Sequence, residues 1–82
     1  MHIVALKIAI VKQIVGEVIA ISPDGSTRVL RKGDEIFLGD IIKTAIDAKV
    51  RIVFDDGEVA NIGFNSTFST TNVFAEQNGE LV

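Results

Sequence analysis

Large apolar side chains recur at every second position near the start of the chain. A period of two places successive side chains on opposite faces of a β-strand, and the β-branched residues isoleucine and valine favour strands. We therefore predict a first strand over residues 4–10 with one strongly apolar face. That face carries Val4, Leu6, Ile8 and Ile10, which alternate with Ala5, Lys7 and Ala9.

Further short apolar runs follow, separated by turn residues. We predict strands over residues 14–21, with Gly16 as a bulge or bend, and over residues 27–31, with the turn "SPDGS" between them. A last short strand is predicted near Val73 and Phe74. Because no segment has helical periodicity, the pattern indicates an all-β fold. We expect a small sandwich or barrel of about seven to nine short, mainly antiparallel strands.

The centre of the chain repeats a small unit, "KGDEIF" and then "LGDIIK". Gly33-Asp34 and Gly39-Asp40 each read as a tight corner between short strands, with the aspartate side chain accepting a nearby backbone N–H. "AIDA", residues 45–48, is predicted to be a loop. The polar residues around Phe68 are predicted to form another corner.

The stretch "VRIVFDDGEVANIGF", residues 50–64, contains two apolar runs around an acidic cluster. A two-residue loop at Asp56-Gly57 would scatter the apolar residues over both sheet faces. A three-residue loop at 55–57 places glycine at the left-handed position and collects them on one face. We therefore predict a solvated hairpin turn rather than a catalytic or metal cluster. The predicted inward face consists of Val50, Ile52, Phe54, Ala60, Ile62 and Phe64.

Composition narrows the function classes. The 82 residues are 48% hydrophobic and 23% charged, which indicates one globular domain, predicted over residues 1–75, with residues 76–82 as a frayed end or the start of a linker. A net charge of −3 argues against binding nucleic acid. The chain has no cysteine, so thiolate chemistry and disulfides are excluded. The apolar N-terminus is interrupted by charged residues, and we predict neither a signal peptide nor a transmembrane helix.

Candidate chemistry is sparse. His2 is the single histidine, next to the initiator, and we expect it to be exposed and without a role. Five of the six aspartates lie in predicted turns and none fits the spaced ligands of a calcium-binding loop, although a calcium site assembled from several turns stays open. The phenylalanines are predicted to be core residues. We expect no enzyme activity and predict no catalytic, cofactor-binding or metal-binding residues.

The order of these motifs resembles the N-terminal retention module of giant RTX adhesins, large bacterial adhesins exported by type I secretion. The shared pattern, VxxIxGxVxAxxPDGxxRxLxxGDxxxxGDxIxT, spans Val11 to Thr44. An apolar strand, "DDG" at residues 55–57, a further strand and an Asn65-Ser66 corner follow. The second half also resembles FecR-type β domains of periplasmic regulators, which share the GDxIxT…DG…NS pattern.

The resemblance to adhesins implies a function that involves no catalysis. Such a module folds in the periplasm, blocks the TolC-like outer-membrane channel and retains the adhesin on the cell surface, in biofilms among other settings. In several members a periplasmic cysteine protease then releases the adhesin. The family's Thr-Ala-Ala-Gly cleavage pattern is absent, so either the cut site lies beyond Val82 or this member has none. We expect a monomer that binds no small-molecule substrate. The FecR resemblance implies instead a periplasmic signalling or protein-binding domain.

Overall fold

A computed structural model describes residues 6–71 and confirms the all-β prediction. This part of the chain contains eight strands, and every pair of neighbours is antiparallel. The strands are β1 (Lys7–Val15), β2 (Val18–Ile21), β3 (Thr27–Val29), β4 (Glu35–Phe37), β5 (Ile41–Thr44), β6 (Lys49–Phe54), β7 (Val59–Ile62) and β8 (Thr67–Ser69).

The strands form two four-stranded sheets. Sheet A has the order β4-β1-β6-β7, and sheet B has the order β3-β2-β5-β8. Both sheets contribute fully buried side chains to one apolar core, including Ile36 and Ile52 from sheet A and Val18 and Ile42 from sheet B. The architecture is therefore that of a small sandwich, in which each sheet buries one face against the other.

The first strand lies in the interior of sheet A, and its predicted apolar face is confirmed at Ile8 but wrong at Leu6 and Ile10. Leu6 is 56% exposed and Ile10 is 39% exposed, whereas Ile8, Ala9 and Val11 are buried. A shift in register between Lys7 and Ala9, as at a β-bulge, breaks the strict alternation and turns the next residues over. Val4 lies outside the described residues.

The predicted strand over residues 14–21 is two strands. Residues 14–15 finish β1 in sheet A, and Val18 begins β2 in sheet B. The chain bends between them at Gly16, whose φ is +75°, so the predicted bend is confirmed. A Cβ atom at this position would lie 2.9 Å from the Cα of Ala48, so only glycine fits this change of sheet.

The hairpin between β6 and β7 has the predicted register. Val50 faces Ile62 and Ile52 faces Ala60, and residues 55–57 form the loop. Gly57 adopts a φ of +93°, the left-handed conformation that the three-residue loop requires. Phe64 does not join the buried face: it is 59% exposed, because β7 ends at Ile62 and the chain turns away.

Both glycine–aspartate corners are built in the same way. In the turns at residues 31–34 and 37–40, the N–H of the aspartate donates to the carbonyl of the first turn residue at 3.0 Å. The Oδ2 atom of Asp34 accepts the N–H of Arg31 at 2.8 Å, and that of Asp40 accepts the N–H of Phe37 at 2.9 Å. The predicted aspartate caps are therefore confirmed.

The polar stretch around Phe68 is a strand rather than a corner. Strand β8 pairs with β5, and Phe68 faces Ile42 across the ladder. The loop at residues 45–48 is confirmed. The strand predicted near residues 73–74, the end segment 76–82 and His2 lie outside the described residues. Within residues 6–71 there is no helix long and apolar enough to cross a membrane.

Candidate functional site

The strands run between two ends of the sandwich, which have different surfaces. The Thr71 end contains the 55–57 hairpin loop, the 37–40 turn and Thr70. The loop and the turn lie together because Phe37 and Phe54 both pair near the start of β1. Thr70 joins them through its hydrogen bond to Asp40. The Gly16 end contains the loops at residues 45–48 and 63–66, where Asn65 N–H donates to the Ala45 carbonyl at 2.9 Å. Thr71, the last described residue, lies at the first of these ends.

An ion pair at the Thr71 end joins the two sheets. Arg28, on β3 of sheet B, donates from Nη2 to Oδ2 of Asp40 at 2.7 Å and to the carbonyl of Glu35, on β4 of sheet A, at 3.0 Å. Its guanidinium carbon lies 5.4 Å from the centre of the Phe37 ring, within the range of a cation–π contact. One arginine therefore connects β3 with β4 and with the start of β5.

The carboxylate of this pair is deeply buried. Asp40 is 1% exposed, whereas about a third (33%) of the Arg28 side chain is exposed. The Oδ2 atom has two donors, Arg28 and the Phe37 N–H, but Oδ1 has no hydrogen-bond partner among the described residues. A buried charge is costly unless it is paired, so Asp40 depends on the guanidinium of Arg28.

Thr70 ties the last described strand to the same turn. Its hydroxyl accepts the Gly39 N–H at 2.9 Å and donates to the Asp40 carbonyl at 2.9 Å, and its own N–H donates to that carbonyl at 3.1 Å. The residue is fully buried, and it directly follows β8. The end of β8 is therefore held to a turn that also binds Arg28.

A second buried threonine, Thr44, is the centre of a hydrogen-bonded cluster at the Gly16 end. The Thr44 hydroxyl donates to the Gly63 carbonyl at 2.7 Å and accepts the Ser66 N–H at 2.8 Å. Asn65 adopts a positive φ of 50°, which asparagine tolerates better than most residues. The spacing from Thr44 to Asn65-Ser66 in the sequence pattern thus corresponds to one corner of the sandwich.

The architecture is similar to that of a protein of known structure. No family model and no curated protein matches the chain. A solved structure described as "Cell surface anchoring domain" matches with a TM-score of 0.78 and 34% sequence identity, over 82% of this chain and 88% of that one. The chain belongs to this family of cell surface anchoring domains. The likeness covers most of both chains.

The acidic cluster of this anchoring domain is a solvent-exposed turn, as predicted. Asp56 caps the Glu58 N–H at 3.0 Å, and Asp55 accepts a hydrogen bond from the Lys7 ammonium group at 2.8 Å. The bond to Asp55 raises the pKa of Lys7. No cluster of three or more potential metal-binding side chains occurs within residues 6–71. The absence of enzyme activity and of calcium binding stays a prediction.

An open groove crosses the outer face of sheet A near the Gly16 end. Its volume is about 450 Å³, and its lining includes Gln13, Lys49, Arg51 and Asn61. Arg51 Nε donates to Asn61 Oδ1 at 2.8 Å, which fixes the guanidinium over the sheet. These side chains can bind polar groups of a ligand, but they contain no nucleophile paired with a base.

The sequence did not reveal the network at the Thr71 end of the anchoring domain. It predicted that Asp40 caps a turn, but it gave no reason to connect Asp40 with Arg28 or with Thr70. One signal was present: Asp40 stands between Leu38 and the apolar pair Ile41-Ile42, which favours burial. A buried aspartate requires a cationic partner, although the pattern does not say which one.

Proposed function

We propose that this anchoring domain is the N-terminal retention module of an RTX-type adhesin. In this proposal it has no catalytic role, folds in the periplasm and blocks the TolC-like outer-membrane channel of a type I secretion system. The rest of the adhesin then stays on the outside of the cell. Membership of the anchoring-domain family supports the anchoring role, and the ordered sequence motifs support the type I route.

The observation that carries the proposal is the position of β1. This strand lies inside sheet A, where Lys7 pairs with Phe37 and Ala9 pairs with Phe54. Since both partners are far along the chain, β1 cannot peel away as a local hairpin would. Its ladders with β4 and with β6 must both separate before β1 is free, and such non-local pairing suits a domain that blocks a channel.

The size of the fold supports a steric block. The Cα atoms have a radius of gyration of 12.5 Å and extend over 37 × 31 × 20 Å. An extended chain is about 5 Å by 10 Å in cross-section, judged from the spacing of neighbouring strands and of stacked sheets. A channel that passes the extended chain would therefore stop the folded domain, as long as the domain stays folded under the pulling force.

The polarity of export gives the domain an orientation. Type I substrates leave C-terminus first, so the part of the chain after Thr71 would enter the channel before the fold. The Thr71 end, with its buried ion pair, would then face the channel, and the Gly16 end would face the periplasm. A periplasmic cysteine protease, where one acts, would cut beyond Val82.

A second candidate is a FecR-like protein-binding domain. The observation that favours it is a group of exposed apolar side chains at the Gly16 end: Val15 (51% exposed), Ile46 (79%) and Phe64 (59%). Grouped exposed apolar side chains mark protein interaction sites, and these three lie at the same end of the sandwich. In that case variants at Ile46 and Phe64 would abolish partner binding, and unfolding of the domain would release no surface protein.

The test compares two aspartate variants in the full-length adhesin. Val18→Asp places a charge in the core, where Val18 is 0% exposed, and Val59→Asp places the same charge at a position that is 53% exposed. We expect Val18→Asp to be secreted but released into the medium, and Val59→Asp to stay on the cell. Cell-bound and released protein are quantified by immunoblotting, and folding is measured by circular dichroism on the purified domain. Surface retention of an unfolded Val18→Asp protein contradicts the steric mechanism.

A further inference from the structure

Thr70 is the point at which a pulling force from the C-terminal side reaches the described fold. We propose that Thr70 is the residue that locks the fold against this force. The inference rests on the proposed function, because it takes the force to act from the part of the chain that follows Thr71. It assigns to one side chain the resistance that a channel-blocking domain needs.

Strand β8 is a weak place to apply a force. It has three residues, it lies at the edge of sheet B, and its only described partner strand is β5. A short edge strand shares few hydrogen bonds with its sheet, so it would separate from β5 first. A force from the C-terminal side meets this strand before any other described strand.

The contacts of Thr70 compensate for this weakness. Thr70 bonds to Gly39 and Asp40, so a force on the chain is passed to the 37–40 turn rather than to β8 alone. From that turn, Asp40 holds Arg28 on β3 and the N–H of Phe37 on β4. The force is thereby divided between both sheets, and several elements must separate together.

The chemistry at this position requires a buried hydroxyl group. One oxygen accepts the Gly39 N–H and donates to the Asp40 carbonyl, which a methyl group of equal size cannot do. The two threonines nearby, Thr67 and Thr71, are exposed and supply matched controls. Thr70→Val replaces the hydroxyl with a methyl group, and Thr70→Ser keeps the hydroxyl but removes the methyl group.

The experiment is single-molecule pulling on the 82-residue chain. Because the chain has no cysteine, thiol handles can be placed at chosen exposed positions. Handles at Asp47→Cys and at the C-terminus pull through Thr70. Handles at Asp47→Cys and Lys32→Cys pull across the sandwich without passing through Thr70.

With C-terminal pulling, we expect Thr70→Val to unfold about tenfold faster at constant force, the effect of losing buried hydrogen bonds. Thr67→Val and Thr71→Val should stay within about twofold of the parent, since exposed substitutions change stability little. Thr70→Ser keeps both hydrogen bonds of the hydroxyl, so it should accelerate unfolding clearly less than Thr70→Val. With the Lys32 handle, Thr70→Val should have a clearly smaller effect. If Thr70→Val unfolds faster by the same factor with both pairs of handles, Thr70 stabilises the fold in general and does not resist the C-terminal force in particular. If it unfolds no faster than the parent under C-terminal pulling, the proposed role of Thr70 is refuted.

If Thr70→Val does not fold, the parent chain still tests the inference. The handle is then moved from Thr71→Cys to Thr67→Cys, both at exposed positions, with Asp47→Cys as the fixed end. We expect longer survival when the force enters at Thr71, through Thr70, than when it enters at Thr67. If the folded chain survives equally long or less long with the handle at Thr71, the proposed role of Thr70 is refuted.

The pulling measurements do not involve export, so they separate the two proposals. Suppose that Thr70→Val unfolds faster under C-terminal force and that the unfolded Val18→Asp protein is still retained on the cell surface. Thr70 would then strengthen the fold against force, but the channel-blocking function would be rejected. The opposite pair of results would keep the function and reject the lock.

Discussion

The ion pair between Arg28 and Asp40 yields the sharpest stability prediction. Arg28→Met removes the guanidinium but keeps a long apolar side chain of similar reach. Asp40, which is 1% exposed, would then keep only the Phe37 N–H as a donor for its carboxylate among the described residues. We therefore expect a large loss of stability from this single substitution.

The expected loss in the free energy of unfolding follows from how deeply each side chain of the ion pair is buried. Removing one partner of a fully buried ion pair costs about 3–5 kcal/mol, because the other charge is left without compensation. Here 33% of the Arg28 side chain is exposed, so water already screens part of the interaction and could reach the gap. We expect a loss of about 2–3 kcal/mol, a large share of the stability of a domain of this size.

Urea denaturation of the 82-residue chain, followed by circular dichroism, measures the loss. Thermal denaturation should show a midpoint about 10–20 °C lower, since one kcal/mol shifts the midpoint of a small domain by about 4–8 °C. Lys7→Met is the matched control, because it removes a cation from the exposed pair with Asp55, whose two side chains are 34% and 56% exposed. We expect no measurable change from that control.

A double-mutant cycle decides whether the ion pair is the cause. Asp40→Asn removes the charge that Arg28 compensates, so Arg28→Met should cost much less in a chain that already carries Asp40→Asn than in the parent. We expect a coupling of about 1 kcal/mol or more, as for residues in direct contact. Losses that simply add, or an equal loss in Lys7→Met, would refute the assignment of Arg28 as the charge partner of Asp40.

Three further predictions concern the core and the turns. Ile52→Ala, at 0% exposure, should cost about 2–5 kcal/mol in urea denaturation, whereas Ile46→Ala, at 79% exposure, should stay within about 0.5 kcal/mol of the parent. Gly57→Ala should cost about 1–2 kcal/mol, because φ there is +93° although space for a Cβ is free; an unchanged midpoint would contradict the left-handed turn. Hydrogen bonds from the Ser26 hydroxyl and N–H lower the pKa of Asp24, so its stabilising contribution is present above the ordinary aspartate value and is lost as the pH falls through the lowered one. An NMR titration should show that Ser26→Ala raises this pKa.

The local features of the anchoring domain could be predicted from the amino-acid sequence. The alternation of apolar residues around the 55–57 loop allowed one register that buries one face, and the hairpin has that register. The two glycine–aspartate corners were predictable for the same reason, since glycine and aspartate act within a few residues of the chain. Period and turn stereochemistry are short-range properties, so a single stretch of sequence is enough to specify them.

The pairing of the strands and the identity of the buried polar groups could not be predicted in this way, because they depend on the complete fold. The bulge that turns Ala9 and Val11 inward, the exposure of Phe64 and the meeting of Arg28 with Asp40 and Thr70 all depend on pairing between distant segments. A period of two says that a strand has two faces, but many partners satisfy it equally well. The choice among them is made by packing across the whole core, where volumes, charges and hydrogen bonds from both sheets must be satisfied at once.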